Sequence, residues 1–248
     1  MNQGDIKRLA NKVLYEDNHL LIVNKDAGQL VQGDKTGDKA LVDIYRDYIK
    51  AVYEKPGNVF MGLVHRLDRP VSGAVVLAKT SKGLERMNSL FKSKEVYKTY
   101  WAVVKNHPPK PKDKLVHWLT KDGDKNLAHA HDKQVPESKK AELFYKVLGK
   151  LNQHYLLEVQ PMTGRPHQIR VQLASIGCPI RGDVKYGFPK ANPDGSINLH
   201  AKQLRFEHPI KKEKMLIVAS LPENDFWEQF LSLEDTVKIK NKDLDKLI

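Results

Sequence analysis

One carboxylate in this chain is set between two guanidinium groups on a stretch with turn chemistry. The segment Val64-His65-Arg66-Leu67-Asp68-Arg69-Pro70-Val71-Ser72-Gly73 brackets Asp68 with Arg66 and Arg69. Pro70 biases Arg69 away from helical geometry and Gly73 permits close backbone approach, so the loop is expected to be rigid. Neighbouring arginines favour an ionised carboxylate, which can serve as a nucleophile or as a hydrogen-bond acceptor. An ordinary loop salt bridge uses the same residue types, and taken alone these positions favour that plainer reading.

A second chemically capable segment is Thr163-Gly164-Arg165-Pro166-His167-Gln168-Ile169-Arg170-Val171. Pro166 suits the first position of a helix, which puts Arg165 at its mouth and Arg170 one turn after Arg165 and His167. A helix N-terminus attracts anions, so Arg165 and His167 are candidates for phosphate contact. His129-Ala130-His131 could suggest a metal, but no cysteine or clear third ligand accompanies the pair, and no metal is assigned. Cys178 is the single cysteine; it cannot form an internal disulfide and reads as a small buried apolar residue.

The elements that must position these groups follow from periodicity and turn chemistry. Val13-Leu14-Tyr15 and Leu20-Leu21-Ile22-Val23 read as a hairpin joined at Glu16-Asp17-Asn18. Leu41, Ile44, Tyr45, Tyr48, Ile49 and Val52 have helical spacing, closed by Lys55-Pro56-Gly57. Val59 to Val64 and Ala74 to Ala78 are strand-like runs, so the Asp68 segment connects two strands. A helix follows, capped by Thr80 or Ser81, with Leu84, Met87, Leu90 and Phe91 on its buried face. Strands are expected at Val96 to Val104, Leu115 to Thr120, Ala141 to Leu148, Tyr155 to Gln160, Gln203 to Phe206 and Met215 to Ser220. The helix after Arg165 carries Ile169, Leu173 and Ile176 and ends at Gly177, and a last amphipathic helix spans Glu223 to Leu233. Strands and helices in this irregular order predict an α+β fold on a largely antiparallel mixed central sheet.

The 42 Lys and Arg residues against 30 Asp and Glu leave a formal charge of +12, the footprint of a phosphate-rich partner. The lysines cluster at Lys105 to Lys114, Lys121 to Lys140 and Lys211 to Lys214, which read as surface loops. No apolar run reaches the ~18 residues of a spanning helix, and the first residues lack the apolar core of a secretory signal, so the cytoplasm is the default compartment.

The Asp68 loop resembles the signature of the RluA family of pseudouridine synthases, and further segments match in the right order. Val23-Asn24-Lys25-Asp26-Ala27-Gly28 is similar to the family's early Asn-Lys-Pro-x-Gly element, with Asp26 in place of Pro. Lys98-Thr99-Tyr100-Trp101-Ala102-Val103-Val104, the Thr163 to Val171 segment, Gly182-Asp183-Val184-Lys185-Tyr186-Gly187, and Leu199-His200-Ala201 with Leu204, Phe206, His208 and Pro209 complete the set. The resemblance runs from about Val13 to Leu221. It implies a pseudouridine synthase catalytic fold over residues 13–234, an extension over 1–12 and a polar tail over 235–248.

The resemblance also implies roles. Asp68 is the nucleophile on a flipped-out uridine, Arg66 enters the vacated stack, Tyr100 stacks on the base and helps remove its C5 proton, and Arg170 pairs with Asp68. Arg69, Arg165 and His167 are taken as RNA contacts. Asp183 is read as a turn former rather than a second acid. Structured RNA, ribosomal or transfer, is the expected partner of a monomer that needs no cofactor, metal, membrane or obligate protein partner. Val71 replaces the family's usual Thr and removes a hydroxyl near Asp68. The family's frequent N-terminal S4-type module is not expected, since about a dozen residues precede the first strand. An RNA glycosylase, or a catalytically silent RNA-binding protein of the same fold, would use the same parts.

Overall fold

The computed structural model describes residues 1–34 and 36–233; the expected polar tail over 235–248 lies outside the described residues. The segment expected only as an extension contains a helix, α1 (Gln3–Ala10), capped by the Asn2 side chain. It packs through buried Leu9, whose carbonyl accepts a 3.3 Å hydrogen bond from Tyr45. β1 (Val13–Glu16) and β2 (Leu20–Lys25) form the opening hairpin, where Asp17 accepts the backbone N–H groups of His19 and Leu20, each at 2.8 Å. α2 (Leu41–Val52), β3 (Gly62–Leu63), β4 (Ser72–Ala78), α3 (Ser81–Ser93) and β5 (Tyr97–Val104) follow. The lysine-rich middle divides between loop and sheet: Lys105, Lys110, Lys125 and Lys133 lie in connections, while β6 (Lys112–Asp122), β7 (Leu127–His131) and β8 (Lys139–Leu151) pair side by side, because their alternate residues bury Leu115, Leu119, Ala128, Ala141 and Leu143. His131 belongs to β7, where its ring pairs with Thr120 at 3.0 Å. β9 (His154–Pro161), α4 (Gln168–Ser175), β10 (Leu199–Glu207), β11 (Lys214–Val218) and α5 (Asp225–Glu228) complete the chain.

Two helices differ from expectation. α4 begins at Gln168 and not at Pro166, since His167 has φ 52°, a left-handed conformation that interrupts helical geometry just before it. The single amphipathic helix expected to Leu233 is interrupted: α5 ends at Glu228, Gln229 and Phe230 form a turn, and helical geometry resumes over 231–233, with i→i+3 bonds from Phe230 to Trp227 and from Leu233 to Phe230 across the break. Trp227 and Phe230 join one buried cluster with Trp101 and Leu156.

The described strands form one mixed sheet in the order β1-β2-β4-β10-β5-β9-β8-β6-β7, with β3 also on β4 and β11 also on β10. Every described pairing is antiparallel except β4 with β10, where Ser72 faces His200 and Gly73 faces Ala201. This matches the α+β reading. Strand alternation divides the core: Leu21, Val23, Val75, Leu77, Ala102 and Val159 face α1, α2 and α4, while Leu20, Ile22, Ala74 and Val76 face α3. Central strands buried on both faces explain the uninterrupted apolar runs. Among the described residues no helix is long and apolar enough to cross a membrane.

The parallel pair demands a glycine. Gly73 has φ +115°, and a β-carbon there would stand 2.5 Å from the backbone nitrogen of Ala201. We expect Gly73→Ala to lose about 2–4 kcal/mol in urea unfolding. Gly123→Ala, a site with open space around it, should stay within about 0.5 kcal/mol of the parent. Beside Gly73, His200 is fully buried, its Nδ1 lies 2.8 Å from Ser72 Oγ, and burial pushes the imidazole down to about 3. The folded state thus holds this ring neutral while the unfolded chain protonates it near about pH 6.5. Its contribution is complete above that pH and declines as pH falls toward 3. Urea midpoints measured from pH 7 to 4 should fall, and less steeply in His200→Gln.

Candidate active site

The loop carrying Asp68 is tied down along its length. His65 Nε2 accepts the Val76 N–H at 3.0 Å and its ring stacks on Phe91 with centroids 4.8 Å apart. Leu67 and Val71 are buried in the main core, so the apolar side chain at 71 fills space there. The Val71 N–H closes a turn onto the Asp68 carbonyl at 3.0 Å. The Arg69 carbonyl accepts from the Gly28 N–H at 2.7 Å and from Lys25 Nζ at 3.2 Å. Lys25 is itself buried and also donates to the carbonyls of Asp26 and Gln29, at 3.0 and 2.9 Å. Burial pushes its ammonium down to about 7, against the raising charges of Asp26 and Asp68.

Neither sequence neighbour of Asp68 supplies its cation. Arg69 turns away, donating to the Gly28 carbonyl at 3.0 Å and to Asp38 at 2.6 Å, and Arg66 reaches Gln32 at 3.2 Å. The partner is Arg170, 102 positions along the chain, whose Nη1 donates to Asp68 Oδ2 at 3.0 Å. Its Nε and Nη2 grip Asp183 in a bidentate pair, at 2.7 and 2.8 Å, and its Cζ lies 5.0 Å from the Tyr186 ring centre. Burial opposes the guanidinium charge, but the Asp183 hydrogen bonds and the charges of Asp183 and Asp68 outweigh it and hold Arg170 above its ordinary range. Asp183 accordingly does more than shape a turn: it is buried and fixes the arginine that meets Asp68.

His167 lies inside this network. Tyr186 Oη accepts the Ala128 N–H at 2.9 Å, so its own proton is free for His167 Nδ1 at 2.7 Å. The neutral ring then carries its proton on Nε2, which faces Asp68 Oδ2 at 3.8 Å. Burial lowers the imidazole pKa and the Asp68 charge only partly offsets it, with Arg170 and Lys185 lowering it further. The turn before α4 is held by Gln168, whose Oε1 accepts from Thr163 Oγ1 at 2.7 Å and from the Arg165 N–H at 3.0 Å. Arg165 is anchored by its Nε to the Lys140 carbonyl at 3.1 Å.

Asp68, Tyr100, Arg170, Arg66, Arg69, Arg165 and His167 all line one cleft of about 1070 Å³. Its lining also holds Lys92, Lys94, Lys98, Lys121 and Lys185. Strand alternation puts Tyr100 on the same face as Ala102 and Val104, toward the cleft. Burial, then the Asp68 charge, pushes its hydroxyl well above the ordinary tyrosine range, so it stays protonated. Lys25 and Tyr186 received no role from sequence reasoning, although both stand in segments already singled out there. Their reach to distant loops is visible only in the folded chain.

Comparison with known proteins places this cleft in context. Residues 19–175 match the family described as RNA pseudouridylate synthase. A ribosomal large subunit pseudouridine synthase C of Buchnera aphidicola (subsp. Schizaphis graminum) is 35% identical over 229 residues, covering 87% of this chain and 68% of the relative. The protein of that name in Vibrio vulnificus is 33% identical over 224 residues, covering 88% and 68%. The solved structure of human RNA pseudouridylate synthase domain containing 4 superposes with a TM-score of 0.76 at 25% identity, over 94% of this chain and 97% of that one. The sequence likeness over most of the chain and the shared fold agree: the chain belongs to the RNA pseudouridylate synthase family.

Proposed function

We propose that this enzyme converts a uridine of ribosomal RNA to pseudouridine, with Asp68 as nucleophile on a base drawn out of its stack. The observation that carries the reading is the Asp68 carboxylate, held by Arg170 at 3.0 Å within a strongly basic cleft. The names of the relatives favour large-subunit ribosomal RNA over transfer RNA. The reaction breaks the N-glycosidic bond, turns the base and joins C1′ to C5; the C5 proton leaves and N1 gains one, so no cofactor is needed. Arg66, exposed at the cleft, takes the vacated place in the stack, since its planar guanidinium can stack on bases. Tyr100, protonated, offers a ring face to the base and a hydroxyl that donates rather than a phenolate. Arg170 orients Asp68, Asp183 and Tyr186 hold Arg170, and His167 directs its Nε2 proton toward the same carboxylate. Arg165 and the cleft lysines meet phosphates, and Arg69 serves RNA binding indirectly by holding Gly28 and Asp38 beside the cleft. The enzyme works as a cytoplasmic monomer.

RNA transcribed with tritium at uridine C5 tests the reading. Wild-type protein should release tritium without free uracil, and Asp68→Asn should reduce release by about 10³ or more while still binding RNA. Free uracil would instead indicate a glycosylase, and tight binding without tritium release a silent RNA-binding protein. Misplacing the nucleophile through its supports should cost less: Arg170→Lys and Asp183→Asn should each lower kcat by about 100-fold, with KM for RNA changed by less than about threefold. An unchanged kcat in Asp183→Asn would sink the positioning role assigned to Asp183.

A further inference from the structure

Among the described residues, one cation of the cleft is withdrawn from water with no carboxylate paired to it. Of the five lysines that line the cleft, Lys92, Lys94, Lys121 and Lys185 are exposed, while Lys98 is half-buried. Its Nζ lies 6.0 Å from the centre of the Phe91 ring, and His65, stacked on Phe91, is kept neutral by burial, which pushes its imidazole down to about 3. Burial lowers the pKa of Lys98 itself, and the charge of Lys94 lowers it further. A half-buried charge is costly unless an opposite charge meets it, so this ammonium calls for an anion that arrives with the substrate.

The place of Lys98 on β5 narrows the anion. It stands two residues before Tyr100 on the same face of the strand, a separation of about 7 Å. Phe91 of α3 and His65 of the Asp68 loop line the cleft with these two residues. Phosphates of RNA lying across the cleft meet the exposed lysines first. A phosphate reaches half-buried Lys98 by following a base inward, because Tyr100, the proposed platform for that base, is its neighbour. One ribose bridges a base on Tyr100 and a phosphate on Lys98. The uracil carbonyls suit Lys98 less well, since a neutral acceptor leaves the ammonium without a counter-charge.

We propose that Lys98 is a substrate-binding residue specific to the extruded nucleotide, its ammonium pairing with a phosphate attached to the target uridine once the base lies on Tyr100. This rests on the reading of the cleft as a uridine-isomerising site and adds a division of labour to it. The exposed lysines hold RNA whether the base is stacked or drawn out, whereas Lys98 gains its partner only in the extruded state and so offsets part of the cost of unstacking.

Tritium release from ribosomal RNA separates these tasks. Lys98→Met should lower kcat about tenfold with KM for RNA within about threefold of the parent, and Lys98→Arg should restore most of kcat. Lys121→Gln, at an exposed cleft lysine, should act on KM instead. In urea unfolding Lys98→Met should be at least as stable as the parent, because a half-buried charge has been removed. A measurement without turnover titrates uridine, uridine 5′-monophosphate and uridine 3′-monophosphate onto the full chain and follows chemical shifts. Wild type should bind one monophosphate about tenfold more tightly than uridine, and Lys98→Met should bind all three within about twofold of one another. The proposal is overturned by a monophosphate preference that survives in Lys98→Met or is absent from the wild type, by a Lys98→Met kcat within about twofold of the parent, or by a loss of stability in that variant, which would mark Lys98 as a packing residue. A wild type that prefers a monophosphate through Lys98 yet releases no tritium would count against the synthase reading alone.

Discussion

A buried guanidinium between two carboxylates organises this molecule. Arg170 spends two donors on Asp183 and one on Asp68, and its guanidinium lies over the Tyr186 ring. Burying such a charge is costly unless every partner is in place, so α4, the turn carrying Asp183 and the Asp68 loop must arrive together. The asymmetry of the grip matters for chemistry. The bidentate pair with buried Asp183 fixes the arginine, while the single bond to the more exposed Asp68 leaves that carboxylate oxygens for a substrate.

The parallel contact between β4 and β10 delivers the Asp68 loop to this arginine. A left-handed glycine there lets the β4 backbone close on Ala201, and Ser72 and His200 seal the contact beneath the loop. Lys25 performs a related task from the opposite side: three carbonyls from two loops converge on its ammonium. Asp68 thus sits on a connection that has the rigidity of the sheet, which suits a reaction depending on alignment more than on strong reagents.

Charge is divided by task. Arg69, which stands next to Asp68 in sequence, pairs with Asp38 and donates to the Gly28 carbonyl. Arg66 and the lysines of the cleft remain turned to the space where phosphates and bases would lie. The apolar Val71 fits the same economy: its position faces the core, so a hydroxyl there is not needed for the loop to pack.

Much was legible in the amino-acid order. The opening hairpin, α2, α3 and most strands follow from alternation, helical spacing and caps, because these reflect local preferences and burial that adjacent residues express together. The Asp68 loop and the basic balance were equally plain, and the ordered motifs named the RluA family, to which the comparisons agree. Where neighbours in sequence suggested partners, however, tertiary structure decided otherwise. Arg66 and Arg69 bracket Asp68 in the chain, yet Arg170 meets it, a pairing that only the family resemblance had implied; Asp183 looked like a turn residue and clamps that arginine; His167 looked like a phosphate ligand and turns inward to Tyr186 and Asp68. Helix starts and stops at His167 and Glu228 likewise answered to packing. The sequence by itself determined most of the elements, the chemical inventory and the family. The resemblance implied one long-range pair, Arg170 with Asp68; only the fold decided the rest of the network, because contacts between distant segments depend on how strands order themselves in a sheet, and no local pattern encodes that order.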